Sequence, residues 1–341
     1  MSKIFVIGDI HGCYDELLKL IDQASIGPDD QLIALGDIVD RGDQSVEVYQ
    51  FLRNRPNTIV LMGNHERKHL RGILSYSQEI VKVQFGDGYK DFVHWVDSLP
   101  YFYETPDAII VHAFFEHDQK LQLQREDVLS GTTAGSRYLE GKYGEGRHWY
   151  RFYRGEKPVI YGHHVVGHLP KIYQNTYGID TGSCHGGRLT ALELPGFKIH
   201  QATSAKDYWK EAQSIWQLPV LKAKNWEGMT FVEATKQLRK LDYKKDTDVK
   251  QFLHQKKQWL DQVGELLTPI QHRLEEMVAE LQAKYGNDFN QEVAHLSYRS
   301  FVFQARGGKL TQEVLRKSLD TPGKVISLAG KIGLKIDGVI V

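Results

Sequence analysis

The sequence lacks the features that mark membrane proteins and disulfide-stapled secreted domains. None of its apolar runs approaches the ~18 residues that a membrane-spanning helix requires. Two cysteines, Cys13 and Cys184, are too few among 341 residues to form a disulfide framework. No charged and apolar leader precedes the first predicted strand. These absences argue against an integral membrane protein and a disulfide scaffold, and we expect a cytoplasmic protein.

The sequence also lacks a net charge, since 43 basic residues balance 43 acidic ones. The balance is uneven along the chain: residues 205–341 carry 22 Lys+Arg and 17 Asp+Glu, whereas residues 1–204 carry 21 and 26. An acidic part suits a metal site that is rich in carboxylates, and a mildly basic part suits a polyanionic partner. The length allows two domains, and we predict one over residues 1–204 and an accessory region over residues 205–341.

The N-terminal part alternates short apolar strands with helices, which predicts an α/β fold. We expect strands over 4–7, 31–35 and 58–62, with helices over 14–24 and 45–53. Each strand ends in a glycine followed by Asp or Asn: Gly8-Asp9-Ile10-His11-Gly12, Gly36-Asp37-Ile38-Val39-Asp40-Arg41-Gly42 and Gly63-Asn64-His65-Glu66. Because ligands of an open α/β sheet bind at the carboxyl ends of its strands, these turns are predicted to meet at one edge.

Two further predicted strands end in histidine. Residues 108–111 lead to His112, and residues 158–161 lead to Gly162-His163. Between them, residues 114–154 show no clear apolar period and are predicted to be irregular. A long irregular segment inside a domain is usually functional.

The polar residues at the strand ends are of the types that bind divalent metals. They comprise two carboxylates, one amide and three imidazoles: Asp9, His11, Asp37, Asn64, His112 and His163. Six ligands are too many for one ion and suit two, which would flank the attacking and leaving oxygens of a displacement at phosphorus. Asp37 is the candidate bridge, and a water shared by two cations loses a proton near neutral pH. Mixed nitrogen and oxygen ligands fit Mn, Fe or Zn better than Mg or Ca.

In their order and spacing, the motifs that end in Gly12, Gly42, Glu66 and His163 resemble those of the calcineurin-like metallophosphoesterases, in the branch that contains the Ser/Thr protein phosphatases. The resemblance covers about residues 1–200. It implies a metallophosphoesterase β-sandwich flanked by helices as the catalytic domain, followed here by a mainly helical C-terminal region. It also implies a hydrolase that attacks phosphate esters with a metal-bridging hydroxide.

The resemblance implies a role for most polar residues of these turns. It implies two sets of metal ligands that share the carboxylate of Asp37. The first set is Asp9, His11 and Asp37, and the second is Asp37, Asn64, His112 and His163. His65 would protonate the leaving oxygen, and Asp40 would orient His65. Arg41 and Asn64 would hold phosphoryl oxygens. The alternative for Asp40 and Arg41 is a structural salt bridge, and the interpretation of Glu66 is a first-turn helix residue placed by the helix dipole.

A narrower resemblance lies in four segments, Tyr153-Arg154-Gly155, 159–163, 179–184 and 186–192. They are similar to bacterial asymmetric diadenosine tetraphosphatases and to the phosphatase domain of bacterial polynucleotide kinase-phosphatase. Both groups act on nucleotide or RNA phosphates, so the resemblance implies that class of substrate. It also makes Arg154 a second candidate for phosphate binding, with a surface arginine as the alternative.

Two residues depart from the pattern of the family. Phe114 follows His112 by two positions where a glycine is usual, and His164 follows His163 where a threonine is usual. Both are expected to reshape the pocket, so the substrate cannot simply be transferred from either group. Cys184 is interpreted as a packed core thiol rather than a nucleophile, because a metal-activated water already fills that role.

The C-terminal region repeats leucine every seven residues, which is typical of a helical a/d seam: Leu253, Leu260, Leu267, Leu274 and Leu281. Thr268 and Pro269 predict a helix start within it, hence two consecutive helices or one kinked helix. The seam either packs within this region or forms a homodimer over residues 253–281. Residues 299–341 are basic with interleaved aromatics, which suits nucleic acid or the solvated face of a small α/β tail.

We therefore predict a phosphoesterase with two divalent metal ions, Mn first and Fe or Zn as alternatives, that acts on nucleotide or RNA phosphates. A Ser/Thr protein phosphatase is the first alternative. The second is a nucleic-acid- or protein-binding module in residues 205–341 that targets the phosphatase. The expected partner is a phosphorylated substrate, and no membrane partner is expected.

Overall fold

The chain folds into two compact units, residues 1–220 and residues 221–341. The computed structural model describes residues 2–146, 148–241 and 243–334. Within that part of the chain, no helix is long and apolar enough to cross a membrane. The functional division proposed at residue 204 stays a prediction.

The first unit is built on two mixed sheets. In chain order, its strands are β1 (Ile4–Ile7), β2 (Gln31–Ala34), β3 (Thr58–Val60), β4 (Phe102–Glu104), β5 (Ile109–Val111), β6 (Val159–Tyr161), β7 (Lys171–Tyr173), β8 (Thr176–Gly178), β9 (Arg188–Leu194) and β10 (Lys198–Thr203). The first sheet has the order β10-β9-β1-β2-β3, and the second has the order β4-β5-β6-β8-β7. Strands β1, β2 and β3 run parallel, as do β5, β6 and β8.

Helices connect these strands and lie against the sheets. In chain order, they are α1 (Tyr14–Gln23), α2 (Ser45–Asn54), α3 (Asn64–Leu70), α4 (Tyr76–Phe85), α5 (Tyr89–Val96), α6 (Glu126–Leu129), α7 (Thr133–Tyr143) and α8 (Tyr208–Ile215). Helix α9 (Gln217–Ala223) contains the boundary between the two units.

Side chains alternate across the first sheet and separate two cores. Val6 and Ile33 face the second sheet and form one cluster with Ile110 and Ile160 of β5 and β6. Their neighbours in the chain, such as Ile7, belong to a second cluster with α1, α2, α4 and α5. This alternation is the period of two that a β-strand imposes. The predicted β-sandwich flanked by helices is confirmed.

The parallel order brings the carboxyl ends of β1, β2 and β3 to one edge of the first sheet. On the other side of β1, strand β9 pairs with it in antiparallel orientation, and β10 forms the edge of the sheet beyond β9. Strands β5 and β6 end at the same side of the sandwich, since His112 lies against Leu35 beyond β2. The candidate site therefore lies where both sheets end.

Residues 67–100 hold the end of α3 and two further helices, which are separated at Gly72 and Gly86, both with positive φ. The prediction for residues 114–154 needs correction. This segment is not wholly irregular, because it contains α6 and α7. Helix α7 was missed because it contains two glycines and buries Leu139 as its one large apolar side chain.

The described part of the second unit is helical. Its helices are α10 (Phe231–Lys240), α11 (Thr247–Glu265), α12 (Leu267–Tyr285), α13 (Phe289–Ala294), α14 (Arg299–Arg306), α15 (Gln312–Ser318) and α16 (Pro322–Lys331). The break between α11 and α12 at Leu266 confirms two consecutive helices. Helix α12 starts two residues earlier than predicted, which places Pro269 in the first turn, where its missing N–H costs no intrahelical bond.

The leucine seam is buried inside this second unit. Leu253, Leu260, Leu267 and Leu274 are buried, and α11 and α12 contact one another and α16. The seam thus packs within its own unit, and the homodimer stays a prediction. The basic segment from residue 299 is helical as far as it is described, rather than α/β. Residues 335–341 of that segment lie outside the described residues.

Candidate metal centre

The five strand ends bring all six predicted metal ligands into one neighbourhood. They are Asp9 and His11 after β1, Asp37 after β2, Asn64 after β3, His112 after β5 and His163 after β6. Five residues in these turns are non-glycine residues with positive φ: His11 (48°), Asp37 (48°), Asp40 (71°), Arg41 (67°) and His163 (71°). Each such conformation costs about 1–3 kcal/mol and persists where the surroundings enforce it, typically at functional sites.

Two buried histidines present an unprotonated nitrogen to the centre. Nδ1 of His11 lies 2.9 Å from the carbonyl oxygen of Val39, and Nδ1 of His112 lies 3.0 Å from that of Leu35. A carbonyl can only accept, so Nδ1 carries the hydrogen in both rings and Nε2 keeps its lone pair. Burial lowers the pKa of both imidazoles, which keeps them neutral. A neutral imidazole with a fixed tautomer is the form that binds a metal.

Asp37 lies between the two histidine groups. One of its carboxylate oxygens is 3.5 Å from Nε2 of His11, and the other is 3.5 Å from Nε2 of His112. Burial opposes ionisation, but the surrounding imidazoles, His112 first, hold the pKa of Asp37 well below its usual range. Asp37 is thus an ionised carboxylate with histidine nitrogens on both sides.

Asn64 joins the remaining two ligands. Its Oδ1 lies 2.9 Å from Nδ1 of His163 and 3.3 Å from Nε2 of His112. Burial also lowers the pKa of His163, which favours its neutral form. Asp37, His112 and His163 place one ligand atom each within 4.8 Å of one another.

The second such group differs from the one predicted. It contains His11 and Asp37 together with His65 in place of Asp9. The carboxylate of Asp9 is buried and accepts the backbone N–H of His163 at 3.0 Å. Burial and the nearby carboxylate of Asp180 raise the pKa of Asp9. Because a cation would offset both effects, the position of Asp9 is compatible with a ligand role, which stays a prediction.

A network of hydrogen bonds fixes the ring of His65 beside the centre. Its Nδ1 lies 2.5 Å from Oδ2 of Asp40, and Oδ1 of Asp40 lies 3.1 Å from Nε2 of His69. The amide of Gln78 also donates to Asp40. Although burial raises it, the pKa of Asp40 is held well below its usual range by these imidazoles. His69 and Gln78 were missed from the sequence, since neither belongs to a strand-end turn.

Arg41 connects the two histidines of the group that contains His11, Asp37 and His65. Its guanidinium lies 3.0 Å from Nε2 of His11 and 3.2 Å from Nε2 of His65. It is partly buried and therefore presents a fixed cation to the centre. A salt bridge between Asp40 and Arg41, the alternative to their proposed roles, does not form among the described contacts, because Asp40 binds histidines instead.

Glu66 does more than the predicted first-turn position implies. Its carboxylate is fully buried and accepts the backbone N–H groups of Asp37 at 2.8 Å, Ile38 at 2.9 Å and Gly63 at 3.1 Å. These bonds attach the turn after β2 to the start of α3. The helix-dipole interpretation is therefore incomplete, because Glu66 holds the backbone that carries Asp37.

We expect Glu66→Gln to loosen this turn. The glutamine amide can accept with only one oxygen and directs N–H groups at a backbone donor, so at least one buried N–H loses its partner. The free energy of unfolding should fall by about 2–3 kcal/mol, measured by urea denaturation. Glu126→Gln is the matched control, since the side chain of Glu126 is exposed. Equal stability of the two variants would contradict the clamp.

Arg154 is not brought into the centre. Its guanidinium donates to the carbonyl oxygens of Arg151 and Tyr153 at 2.9 and 2.8 Å and to the side chain of Gln174 at 2.6 Å. The side chain is exposed and holds its own loop together. The surface alternative describes these contacts, and a phosphate-binding role stays a prediction.

Phe114 and His164, the two residues that depart from the family pattern, pack close together, and the thiol of Cys184 is buried. Phe114 packs against His163 with ring centroids 5.2 Å apart, and His164 lies 5.6 Å from Phe114. Cys184 is buried with Cys13 and Tyr208, and burial raises its pKa to about 12. Such a thiol is protonated at neutral pH, in agreement with the predicted core role.

Comparison with known proteins decides the family. The family described as Calcineurin-like phosphoesterase matches residues 2–194. This chain belongs to the calcineurin-like phosphoesterase family. The predicted resemblance is confirmed, and the protein is a metallophosphoesterase and thus a hydrolase.

Curated relatives of this phosphoesterase carry a common name. The asymmetrical bis(5'-nucleosyl)-tetraphosphatase PrpE of Halalkalibacterium halodurans is 32% identical over 228 residues, which are 56% of this chain and 89% of the relative. The protein of the same name from Geobacillus sp. is 30% identical over 246 residues, 61% of this chain and 97% of the relative. A crystal structure of a candidate diadenosine tetraphosphatase is 24% identical with a TM-score of 0.50, covers 60% of this chain and 94% of that chain, and shares the fold.

The donor set of this phosphoesterase fits the divalent metals that the family uses. Neutral imidazoles and an ionised carboxylate are ligands for transition-metal cations. Two groups of them overlap at Asp37, and their residues are buried except for His163, which is half-buried. Neutral imidazoles direct lone pairs at the buried carboxylate rather than positive charge, so the arrangement is one that a bound metal would stabilise.

Proposed function

We propose that this phosphoesterase is a two-metal enzyme that hydrolyses nucleotide phosphates, with bis(5'-nucleosyl) tetraphosphates as its preferred substrates. The observation that carries the metal number is the pair of ligand groups that share Asp37. The names of its relatives support the substrate class, and these relatives match over most of their own length. Mn is the proposed metal, and a cytoplasmic location stays a prediction.

The proposed ligands divide at Asp37. Asp9, His11 and Asp37 would hold one cation, and the other would be held by Asp37, Asn64, His112 and His163. When bound, divalent cations polarise phosphoryl oxygens and lower the pKa of a coordinated water. We assign His65 to neither set, because Asp40 lies 2.5 Å from its Nδ1 and can stabilise the imidazolium form that a proton donor needs.

The residues around these ligands would handle the proton and the phosphate. Hydrolysis joins a water oxygen to phosphorus and breaks the phosphorus–oxygen bond to the leaving group, whose oxygen then needs a proton. His65 can supply that proton while Asp40 stabilises its imidazolium form. Arg41 would bind a phosphoryl oxygen with the guanidinium that now lies between His11 and His65, and Asn64 would assist through its amide.

Metal removal tests the first half of the proposal. Dialysis against a chelator should lower kcat by at least about 100-fold, since several kcal/mol of charge stabilisation are lost, and Mn²⁺ should restore it. Metal analysis of the restored protein should give two ions per chain, and His112→Ala should reduce this number to one. Full activity in the chelated protein, or a single ion in the restored protein, would contradict a two-metal centre.

A substrate panel tests the second half. The Mn-loaded protein would be assayed with diadenosine tetraphosphate, a phosphoserine peptide, RNA with a 3′-phosphate and p-nitrophenyl phosphate. We expect the highest kcat/KM for diadenosine tetraphosphate. Preference for the phosphopeptide would favour a Ser/Thr protein phosphatase, and preference for RNA would give the basic C-terminal region a targeting role.

A further inference from the structure

A cleft of about 900 Å³ opens beside the candidate metal centre. It shares Asn64 and His163 with the centre, so a molecule whose phosphate lies at the metals would extend into it. Its lining comes from α3 and the residues just after it, from the loop after β5, from the segment around α6 and α7, and from the turn after β6. None of the proposed catalytic roles uses this cleft beyond the two shared residues.

The α3 wall of the cleft carries three cations, Arg67, Lys68 and Arg71. Arg67 is 6% exposed, and its Nη1 donates to the hydroxyls of Tyr101 and Ser130. Its Nε is buried without a hydrogen-bond partner among the described residues. Within the same part of the chain, neither Lys68 nor Arg71 forms an ion pair. Lys68 and Arg71 are therefore available to an anionic ligand, whereas Arg67 also lies 3.9 Å from Glu126.

The carboxylates of the cleft do not neutralise this wall. Asp127 is paired with Arg125 through two hydrogen bonds of 3.0 Å. Glu126 lies 3.9 Å from Arg67 and is largely exposed. With Arg125 counted, four cations face two carboxylates, which leaves a net charge of +2. A polyphosphate chain is the kind of ligand that this excess attracts.

Phe114 and His164 contribute aromatic rings to the lining of the same cleft. Phe114 is half-buried, and His164 is exposed beside it, with ring centroids 5.6 Å apart. His164 also packs at 4.5 Å from the ring of His163. Flat rings that line a polar cleft can stack on a nucleobase, and this stacking does not depend on which base it is. Phe114 and His164 are the two residues that are expected from the sequence to reshape the pocket.

We propose that this cleft binds the part of a nucleoside polyphosphate that lies beyond the reacting phosphate. Arg67, Lys68 and Arg71 bind the additional phosphates, and Phe114 with His164 stacks on the nucleobase. This inference rests on the proposed function and makes the cleft the source of its preference for long nucleotide substrates. A short ester such as p-nitrophenyl phosphate occupies the metal centre alone and gains little from the cleft.

Variants of the cations and of the aromatic rings, made in the full chain, test this assignment. They are Lys68→Ala with Arg71→Ala, Phe114→Leu, which keeps apolar volume but removes the ring, and His164→Thr. Lys90→Ala with Lys210→Ala is the control, since it removes two exposed positive charges that do not line the cleft. The first readout is kcat/KM for diadenosine tetraphosphate relative to p-nitrophenyl phosphate. The second is the inhibition constant of a methylene-bridged diadenosine tetraphosphate against p-nitrophenyl phosphate hydrolysis.

We expect the double cation variant and Phe114→Leu each to lower the ratio of kcat/KM values at least tenfold, with His164→Thr lowering it less. The inhibition constant should rise by the same factor through weaker binding, and the control should change neither value. An unchanged ratio and inhibition constant would overturn the inference, as would equal losses on both substrates, because the residues would then support the centre itself. Stronger inhibition by RNA than by the dinucleotide would also overturn it.

The inhibition assay separates this inference from the proposed function. If the wild-type protein does not cleave diadenosine tetraphosphate but the analogue inhibits it in a manner that depends on Lys68 and Arg71, the proposed substrate is wrong and the nucleotide-binding cleft stands. If the dinucleotide is cleaved well by every variant, the proposed function stands and the cleft assignment is wrong.

Discussion

Asp37→Asn is expected to lower kcat by about 1,000-fold, because both metal groups lose their shared anion at once. The carboxylate is the charged ligand atom common to the two groups, and its loss removes several kcal/mol of stabilisation at the reacting phosphate. The fold should survive, since asparagine has the same shape and its carbonyl oxygen can still accept the N–H of His65, now at 3.0 Å. Activity with p-nitrophenyl phosphate and metal content per chain are the measurements.

A control substitution shows whether the loss of activity comes from this carboxylate or from the removal of any one negative charge. Asp29→Asn removes one exposed carboxylate from the same unit and should leave both kcat and metal content unchanged. The circular dichroism spectrum of Asp37→Asn should match that of the wild type. If Asp37→Asn retains two ions and more than a tenth of the wild-type activity, the bridging role is refuted.

The strand-end turns could be predicted because residues that are adjacent in the sequence determine them. An apolar run such as Ile4–Ile7 predicts a buried strand, and the following Gly8 and Asp9 predict a turn with a ligand. The parallel order of β1, β2 and β3 then follows from the intervening helices. The turns with Asp9, Asp37 and Asn64 therefore meet where the sequence indicates.

The partners of Asp40 could not be predicted from the sequence, because they lie far from it along the chain. His69 and Gln78 lie 29 and 38 residues away in the chain and reach Asp40 only after α3 and α4 pack beside the turn. The same holds for Glu66, whose local position suggests an ordinary first helical turn. Its three backbone partners become visible only when β2 and β3 are placed side by side.

Arg154 shows the opposite error, in which a local resemblance suggests a contact that the fold does not make. A guanidinium near a recognised segment is a natural phosphate ligand, but the backbone carbonyls of residues one and three positions earlier in the chain accept its hydrogen bonds instead. Arg67 was not predicted at all, although it is the buried cation nearest to the proposed ligands in sequence. Its position inside α3 gave no signal that the helix would form a wall of the cleft.

His65→Gln is expected to lower kcat by an amount that depends on the leaving group. An alcohol leaves only with a proton, so removal of the general acid should cost about 100- to 10,000-fold with phosphoserine. The p-nitrophenolate ion leaves without a proton, and the loss with p-nitrophenyl phosphate should be smaller than about tenfold. Diadenosine tetraphosphate should lose about as little as p-nitrophenyl phosphate, since its leaving oxygen belongs to a phosphate, which is also far more acidic than an alcohol.

The leaving-group dependence distinguishes proton donation from simple support of the metals. Asp40→Asn should show the same order of losses, because the histidine ring then lacks the carboxylate that stabilises its imidazolium form and lies 2.5 Å away. A variant that merely displaced a metal would lose activity equally with all three substrates. Equal losses for His65→Gln, with both ions still bound, would therefore assign His65 to phosphate binding and leave the proton to come from water.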